Sequence, residues 1–205
     1  MGIGHHLNLV RRAKREYRKT RRPALVYPNI FPLRRRQAAG GQATPGSEER
    51  RSVMQKVGVF GLGAGTLAVY ARPGDLYRFY EINPLVPEIA NRFFTYLKDA
   101  EGAVEVSMGD ARLSLERQQP QNFDLLAMDA FSSDSVPVHL LTREAMQLYF
   151  RHLKPDGVLA VHISNRYINL QPVLARVAAE LGRKAVMVET EDNKDGSCYG
   201  TTWVL

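Results

Sequence analysis

Cysteine and long apolar runs are scarce in this sequence, and each scarcity excludes a class of protein. Its 205 residues include one cysteine, Cys198, so neither an intrachain disulfide nor a Cys-x-x-Cys metal set can form. No stretch of about 18 apolar residues occurs, and no apolar segment follows the first basic residues. These absences predict a cytoplasmic protein without a disulfide, a metal site or a membrane segment.

Acidic residues are scarce in the first quarter of the chain. Residues 1–51 contain 13 Lys and Arg but 3 Glu, whereas residues 52–205 contain 15 basic and 18 acidic residues. The net charge of +7 therefore comes from the N-terminal segment. Its Gly, Gln and Pro content and lack of periodicity predict a poorly ordered basic arm over residues 1–51. A solvated tail is the favoured interpretation, and nucleic-acid binding through the arm is the less favoured alternative.

From residue 52 onward, short apolar strands alternate with helical stretches. This pattern predicts an α/β domain over residues 52–205, with a doubly wound, mostly parallel sheet of seven strands. The predicted strands cover residues 56–60, 76–80, 104–108, 125–128, 158–163, 185–188 and 201–205. The predicted helices cover residues 66–71, 84–96, 111–118, 142–152 and 170–181.

The last two predicted strands are joined by residues 191–197, a loop rich in Asp, Asn and Gly. This loop is too short for a helical crossover, so the two strands are expected to pair antiparallel. Such a C-terminal hairpin distinguishes the predicted sheet from that of ordinary dinucleotide-binding proteins.

Ligands of open parallel sheets bind at the carboxyl ends of the strands. The first strand is followed by Gly61, Gly63 and Gly65 in the sequence Gly-Leu-Gly-Ala-Gly. Glycines there allow a tight turn and a close approach of the backbone to a nucleoside beside a helix N-terminus. A plain structural turn is the alternative, because the spacing departs from the Gly-x-Gly-x-x-Gly dinucleotide pattern.

Acidic residues follow the second and third strands. Glu81 stands 20 residues after Gly61, a spacing at which a carboxylate accepts hydrogen bonds from both ribose hydroxyls; the alternative is a solvated surface glutamate. Asp110 can accept from an adenine amino group, with the backbone N–H of Ala111 beside it. Asp110 can also cap the helix that follows.

The loop after the fourth strand carries Asp129 and Asp134. Asp129 is the catalytic candidate, because the reactive end of a bound nucleoside is expected near this loop. Asp134 lies in the sequence Ser-Ser-Asp-Ser, so a turn residue is an equally good interpretation. His139 and His162 are set aside, because a histidine in such a strand is more often a packed, hydrogen-bonded residue than a base.

These motifs resemble the spermidine synthase-like proteins, the aminopropyltransferase branch of the S-adenosylmethionine Rossmann superfamily. The similarity is closest to bacterial spermidine synthase-like domains that are often fused to membrane segments. It extends over roughly residues 55–205. The motifs that carry it are residues 61–68, 79–84, 109–112, 129–134 and 137–144.

The resemblance implies a transferase with the methyltransferase-like Rossmann fold. Glu81 is then expected to hold the ribose and Asp110 the adenine, while Asp129 binds the attacking amine and Asp134 is a second amine-binding carboxylate. In the family reaction a diamine such as putrescine attacks decarboxylated S-adenosylmethionine beside its sulfonium, which leaves methylthioadenosine. The implied partners are a small-molecule amine substrate and a sulfonium nucleoside as co-substrate, with no metal.

One position departs from the family pattern and keeps a second enzyme class open. Aminopropyltransferases usually carry Asp where this chain has Ala64, and that Asp holds the terminal amine of the decarboxylated cofactor. A methyltransferase that uses intact S-adenosylmethionine is therefore the alternative. A non-catalytic nucleoside- or RNA-binding protein is a second alternative, and a homodimer is a further open question.

Overall fold

The sheet runs through the whole domain. The computed structural model describes residues 54–131, 136–165, 168–190 and 200–205. Seven strands lie in the order β3-β2-β1-β4-β5-β7-β6. β1 to β5 are parallel, and β7 is antiparallel to both β5 and β6. The prediction of a mostly parallel sheet with a C-terminal hairpin is therefore confirmed. The strands are β1 Lys56–Phe60, β2 Leu76–Glu81, β3 Ala103–Met108, β4 Phe123–Met128, β5 Leu153–His162, β6 Met187–Thr190 and β7 Thr201–Val204.

Side chains of alternating strand residues face opposite sides of the sheet, as the two-residue period of a strand requires. Val57 and Val59 lie in one buried cluster, whereas Phe60 lies in the other. Helices α1 Leu85–Phe93, α2 Ala111–Arg117, α3 Arg143–His152 and α4 Gln171–Glu180 cover the sheet. α1 contributes to the first cluster, and α2, α3 and α4 contribute to the second. Both faces are thus buried, as in a doubly wound fold.

The helix predicted over residues 66–71 differs from the prediction in its type and its length. Thr66–Tyr70 forms a 3-10 helix, not an α-helix. The N–H of Ala68 donates to the carbonyl of Gly65 and that of Ala71 to Ala68, which are i to i+3 bonds. Since the segment is only five residues long and leads into a turn at Gly74, it cannot develop the N-terminal dipole of a full helix.

Several other boundaries also differ from the sequence prediction, and three of them have a clear cause. α1 ends at Phe93 because Phe94 is extended (φ −125°, ψ 162°). β5 begins at Leu153, five residues early, because Leu153 pairs with Phe123 ahead of a register shift. β6 continues to Thr190, whose hydroxyl lies 2.9 Å from that of Thr201 on β7.

Three predicted features lie outside the described residues: the basic arm of residues 1–51, the loop position Asp134 and the loop of residues 191–197. Across the described ranges, no helix is both long and apolar enough to cross a lipid bilayer. Within those same ranges, no group of three His, Cys, Asp or Glu side chains is arranged to hold a metal ion.

We predict that His152 makes the stability of the fold sensitive to pH. The side chain is 2% exposed, and its Nδ1 has no hydrogen-bond partner within the described residues. Burial lowers the pKa of His152 below its ordinary 6.5, a hydrogen bond with the Leu115 backbone offsets part of that effect, and Arg151 adds to the lowering. The folded state keeps His152 neutral while the unfolded chain takes up a proton, so stability falls as the pH drops below 6.5.

Urea unfolding between about pH 7 and pH 5 measures this contribution. In His152→Gln, the free energy of unfolding is expected to fall less over that interval than in the parent protein. An identical slope in both proteins would show that another group causes the pH dependence.

Candidate active site

Those predicted site residues that the structure describes lie together at the carboxyl edge of the sheet, because the backbone ladder continues past the strand ends. The backbone N–H of Gly61 donates to the backbone carbonyl of Tyr80. In the same way, the N–H of Gly109 donates to the carbonyl of Glu81, and the N–H of Asp129 donates to the carbonyl of Phe60. β3, β2, β1 and β4 are consecutive in the sheet. Asp110, Glu81, the glycine loop and Asp129 therefore follow one another along a single edge.

The glycine loop needs glycine at its first and third glycine positions. Gly61 has φ 87°, and a Cβ there would lie 2.7 Å from the carbonyl oxygen of Asp129. Gly65 has φ 79°, and a Cβ there would lie 2.8 Å from the side chain of Leu97. Gly63 has φ 52° but faces open space. The loop thus combines left-handed backbone with close packing against β4.

Glu81 is buried at the end of β2, with 7% of its surface exposed. Its Oε2 accepts the N–H of Leu62 at 2.9 Å, and its Oε1 accepts the N–H of Asn83 at 2.8 Å. Each carboxylate oxygen retains further acceptor capacity, so the side chain can receive additional donors without turning. Glu81 is therefore an oriented carboxylate that links β2 to the glycine loop and is not a solvated surface residue.

Asp110 caps α2 and contacts a histidine that the sequence analysis set aside. Its Oδ1 accepts the N–H of Leu113 at 2.9 Å, and its Oδ2 lies 2.9 Å from Nε2 of His139. Burial raises the pKa of Asp110, but the Leu113 and His139 hydrogen bonds outweigh it, so the pKa lies below its ordinary value. Ala111 begins the helix, and its N–H has no acceptor inside that helix.

Three contacts hold the segment that carries His139. Arg112 donates from Nη1 to the carbonyl of His139 at 2.8 Å, and it also lies 3.3 Å from the Thr142 hydroxyl. The hydroxyl of the buried Tyr149, on α3, donates a hydrogen bond to the carbonyl of Leu140 at 3.2 Å. These bonds keep His139 beside Asp110, although half of the His139 side chain is exposed.

Asp129 contacts the second histidine that the sequence analysis set aside. Its Oδ1 lies 2.8 Å from Nδ1 of His162, near the end of β5. Nε2 of His162 lies 2.8 Å from the hydroxyl of Ser164. His162 is packed and hydrogen-bonded, as expected, but its partner is the catalytic candidate.

Exposed apolar side chains lie beside these carboxylates. Ile82 follows Glu81 and is 68% exposed, while Met108 and Leu113 are each 49% exposed on either side of Asp110. β2 and β3 pair in parallel with Glu81 opposite Met108, so Ile82 and Met108 belong to the same edge, and Leu113 lies in the first turn of α2.

Two histidines, His139 and His162, thus contact the predicted site carboxylates although neither was among the residues predicted for the site. No local signal points to either contact, because His139 is 29 residues from Asp110 and His162 is 33 residues from Asp129. The available clue was topological. His162 ends β5, which lies next to β4 in the sheet, and this places it beside whatever follows β4.

Two substitutions in the glycine loop test the close contact of Gly61 with Asp129. Gly61→Ala combines positive φ with a clash against backbone, so we expect it to lower the free energy of unfolding by about 2–5 kcal/mol. Gly63→Ala has the same unfavourable sign of φ but no clash, and about 1–2 kcal/mol is expected. Urea unfolding measures both values, and equal losses would contradict the close contact with Asp129.

Known proteins with a similar sequence or fold include aminopropyltransferases and methyltransferases. No family model matches the sequence. A polyamine aminopropyltransferase of Vibrio vulnificus is 31% identical over 118 residues, which are 53% of this chain and 37% of that protein. An N-terminal histidine N-methyltransferase of Emericella nidulans is 30% identical over 110 residues, which are 51% of this chain and 19% of that protein. The matches therefore cover well under half of either relative.

Solved structures share the fold at lower identity. Human methyltransferase-like protein 13 in complex with SAH superposes with a TM-score of 0.61 at 17% identity, covering 74% of this chain and 71% of that one. A spermidine synthase in complex with the transition-state analogue AdoDATO gives 0.58 at 18% identity, covering 73% and 53%. This chain therefore has the S-adenosylmethionine methyltransferase-like Rossmann fold, and the resemblance to the spermidine synthase-like proteins predicted from its motifs is confirmed.

Proposed function

We propose that this protein is a transferase that moves an aminopropyl group from decarboxylated S-adenosylmethionine to a polyamine or a related amine. The observation that carries the proposal is the order of groups along the sheet edge. Asp110, Glu81 and the glycine loop follow one another, and Asp129 comes next. Adenine, ribose and sulfonium occur in the same order in the co-substrate.

The spacing of the strands supports this order. Neighbouring strands lie about 4.8 Å apart, so the ends of β2 and β4 are about 10 Å apart and those of β3 and β4 about 14 Å. An extended nucleoside with its adenine at Asp110 and its ribose at Glu81 then has its sulfonium close to Asp129. The exposed Ile82 and Leu113 would cover the faces of the adenine.

The charge of the edge also suits these reactants. A sulfonium and an alkylammonium are both cations, and the three described carboxylates Glu81, Asp110 and Asp129 supply negative charge along their path. Asp134 is proposed as the second carboxylate for the amine. The residues from 52 to the C-terminus carry a net negative charge, with 15 basic against 18 acidic residues.

The chemistry requires an amine with a free electron pair placed in line with the carbon–sulfur bond. The amine nitrogen attacks the carbon beside the sulfonium, that bond breaks, and methylthioadenosine leaves with the electron pair. Asp129 would hold the amine and accept its proton. Since a carboxylate is a weak base for an alkylammonium, the orienting contribution of Asp129 is expected to exceed its contribution as a base.

A methyltransferase that uses intact S-adenosylmethionine is the second candidate, and one observation favours it. Ala64 occupies the loop position where the aminopropyltransferases have a carboxylate for the cofactor amine. One of the two curated relatives also carries the name of an N-methyltransferase. Both reactions would share Glu81, Asp110 and Asp129, because both join an amine nitrogen to a carbon of the sulfonium.

Calorimetric titration of the full chain tests the nucleoside site. We expect decarboxylated S-adenosylmethionine and methylthioadenosine to bind, and Glu81→Gln to weaken both by about tenfold or more, because a charged acceptor of the ribose is lost. Glu88→Gln on α1 is a matched control that leaves the sheet edge unchanged. Failure of decarboxylated and intact cofactor and of methylthioadenosine to bind at millimolar concentration would remove both enzyme candidates. Tighter binding of the intact cofactor would favour methyl transfer.

Product analysis with putrescine tests the reaction itself. Asp129→Asn is expected to lower kcat by about 100-fold or more, since a positioned acid–base group contributes on that order. Cofactor affinity should stay within about twofold, because adenine and ribose contact other residues. Unchanged turnover in this variant would remove Asp129 from the catalytic role.

A further inference from the structure

A chain of hydrogen bonds runs from Asp129 through β5 to the last strand of the sheet. Asp129 Oδ1 is 2.8 Å from Nδ1 of His162, and Nε2 of His162 is 2.8 Å from the hydroxyl of Ser164. The Ser164 oxygen in turn accepts the backbone N–H of Thr202 at 2.7 Å. The only main-chain group in this series belongs to β7.

The donors in this chain can be assigned from their chemistry. An ionised carboxylate has acceptors only, so the hydrogen between Asp129 and His162 must be on Nδ1. Ser164 already uses one lone pair for the Thr202 N–H, and its own hydrogen can point to Nε2. In this arrangement Nδ1 carries the hydrogen and donates toward Asp129, while Nε2 accepts from Ser164.

Two aromatic side chains also pack against the His162 ring. Trp203 lies opposite His162 in the β5–β7 ladder, and the two rings stack at 4.5 Å with an angle of 5° between them. Phe131 approaches edge-on at 4.8 Å. The Trp203 side chain is fully buried, so the stacked ring is part of the core and moves little.

We propose that His162 is a positioning residue for Asp129, locked in its Nδ1–H tautomer by Ser164 and braced by Thr202 and Trp203 of the C-terminal hairpin. The proposal rests on the transferase function proposed for Asp129. The Nδ1–H bond to Oδ1 fixes the orientation of the carboxylate that is proposed to hold the amine. The C-terminal hairpin thereby becomes a support of the active site.

The order Ser164, His162, Asp129 also matches the connectivity of hydrolase triads. The Ser164 oxygen accepts an N–H from β7, and its position beside the ladder suits a structural hydroxyl. Reaction of Ser164 with a fluorophosphonate, detected by mass spectrometry of the full chain, would assign a nucleophilic role and overturn the positioning proposal.

The tautomer can be measured without any assumption about activity. Long-range ¹H–¹⁵N correlation spectra of the full chain with labelled histidine distinguish a protonated from an unprotonated ring nitrogen, and His162→Asn identifies the relevant signals. We expect Nδ1 of His162 to be protonated. An unprotonated Nδ1 would overturn the proposal, whether or not the protein transfers an aminopropyl group.

Two substitutions separate hydrogen bonding from packing. His162→Asn keeps an N–H near the position of Nδ1 but loses the stacked ring, whereas His162→Phe keeps the ring and loses the N–H. If positioning matters, kcat in the Phe variant falls by about tenfold or more, the effect of one lost bond to a charged group. The Asn variant should then retain the larger kcat, and KM for the nucleoside should change little in both.

A larger kcat in the Phe variant than in the Asn variant would mean that His162 acts only through packing, and the proposal would fail. Ser164→Ala provides a second test with little change in volume. Loss of the hydroxyl releases the tautomer, and kcat is expected to fall by about threefold or more. An unchanged kcat in this variant would also overturn the proposal. No turnover in the parent protein would instead refute the proposed function, while the tautomer measurement stands.

Discussion

The close contact between Gly61 and the backbone of Asp129 is the constraint on which the site depends. The Asp129 N–H donates to Phe60, and the Asp129 carbonyl occupies the space that a Cβ of Gly61 would need. β1 and β4 therefore stay paired to their last residues. The chain must turn away at Gly61, which carries the Leu62 N–H to Glu81. This one backbone contact thus determines both the conformation of the glycine loop and its distance from Asp129.

Much of this arrangement could be predicted from the sequence, because it depends on local patterns and on a general rule of topology. Apolar strands such as Val57–Val59 and their two-residue period identify the sheet, and the short loop after β6 predicts the hairpin. The rule that ligands bind at the carboxyl ends of parallel strands then selects Glu81, Asp110 and Asp129. Local patterns predict the ends of the strands and helices less accurately. β5 starts at Leu153 because of pairing with Phe123, which is a contact between distant segments.

The same limitation explains why the contacts of the two histidines were not predicted. A side chain in a strand is assigned to a face by its period, but the period does not reveal which residue lies opposite on the next strand. His162 contacts Asp129 through the register of β4 and β5. Its second partner, Ser164, lies two residues further along the chain and accepts the N–H of Thr202 on β7. His139 depends on Arg112 and Tyr149, which belong to different helices. Such contacts follow from tertiary packing.

The carboxylates at the sheet edge share a property that bears on how they could act. Glu81 and Asp110 each use both oxygens within the fold, and Asp129 is held by His162. A side chain held in this way has already lost its rotational freedom, so binding a ligand costs little additional conformational entropy. The remaining lone pairs point in fixed directions, and a ligand must match them. Selectivity in such a site comes from geometry that exists before the ligand arrives, which is also the condition for holding an amine in line with a carbon–sulfur bond.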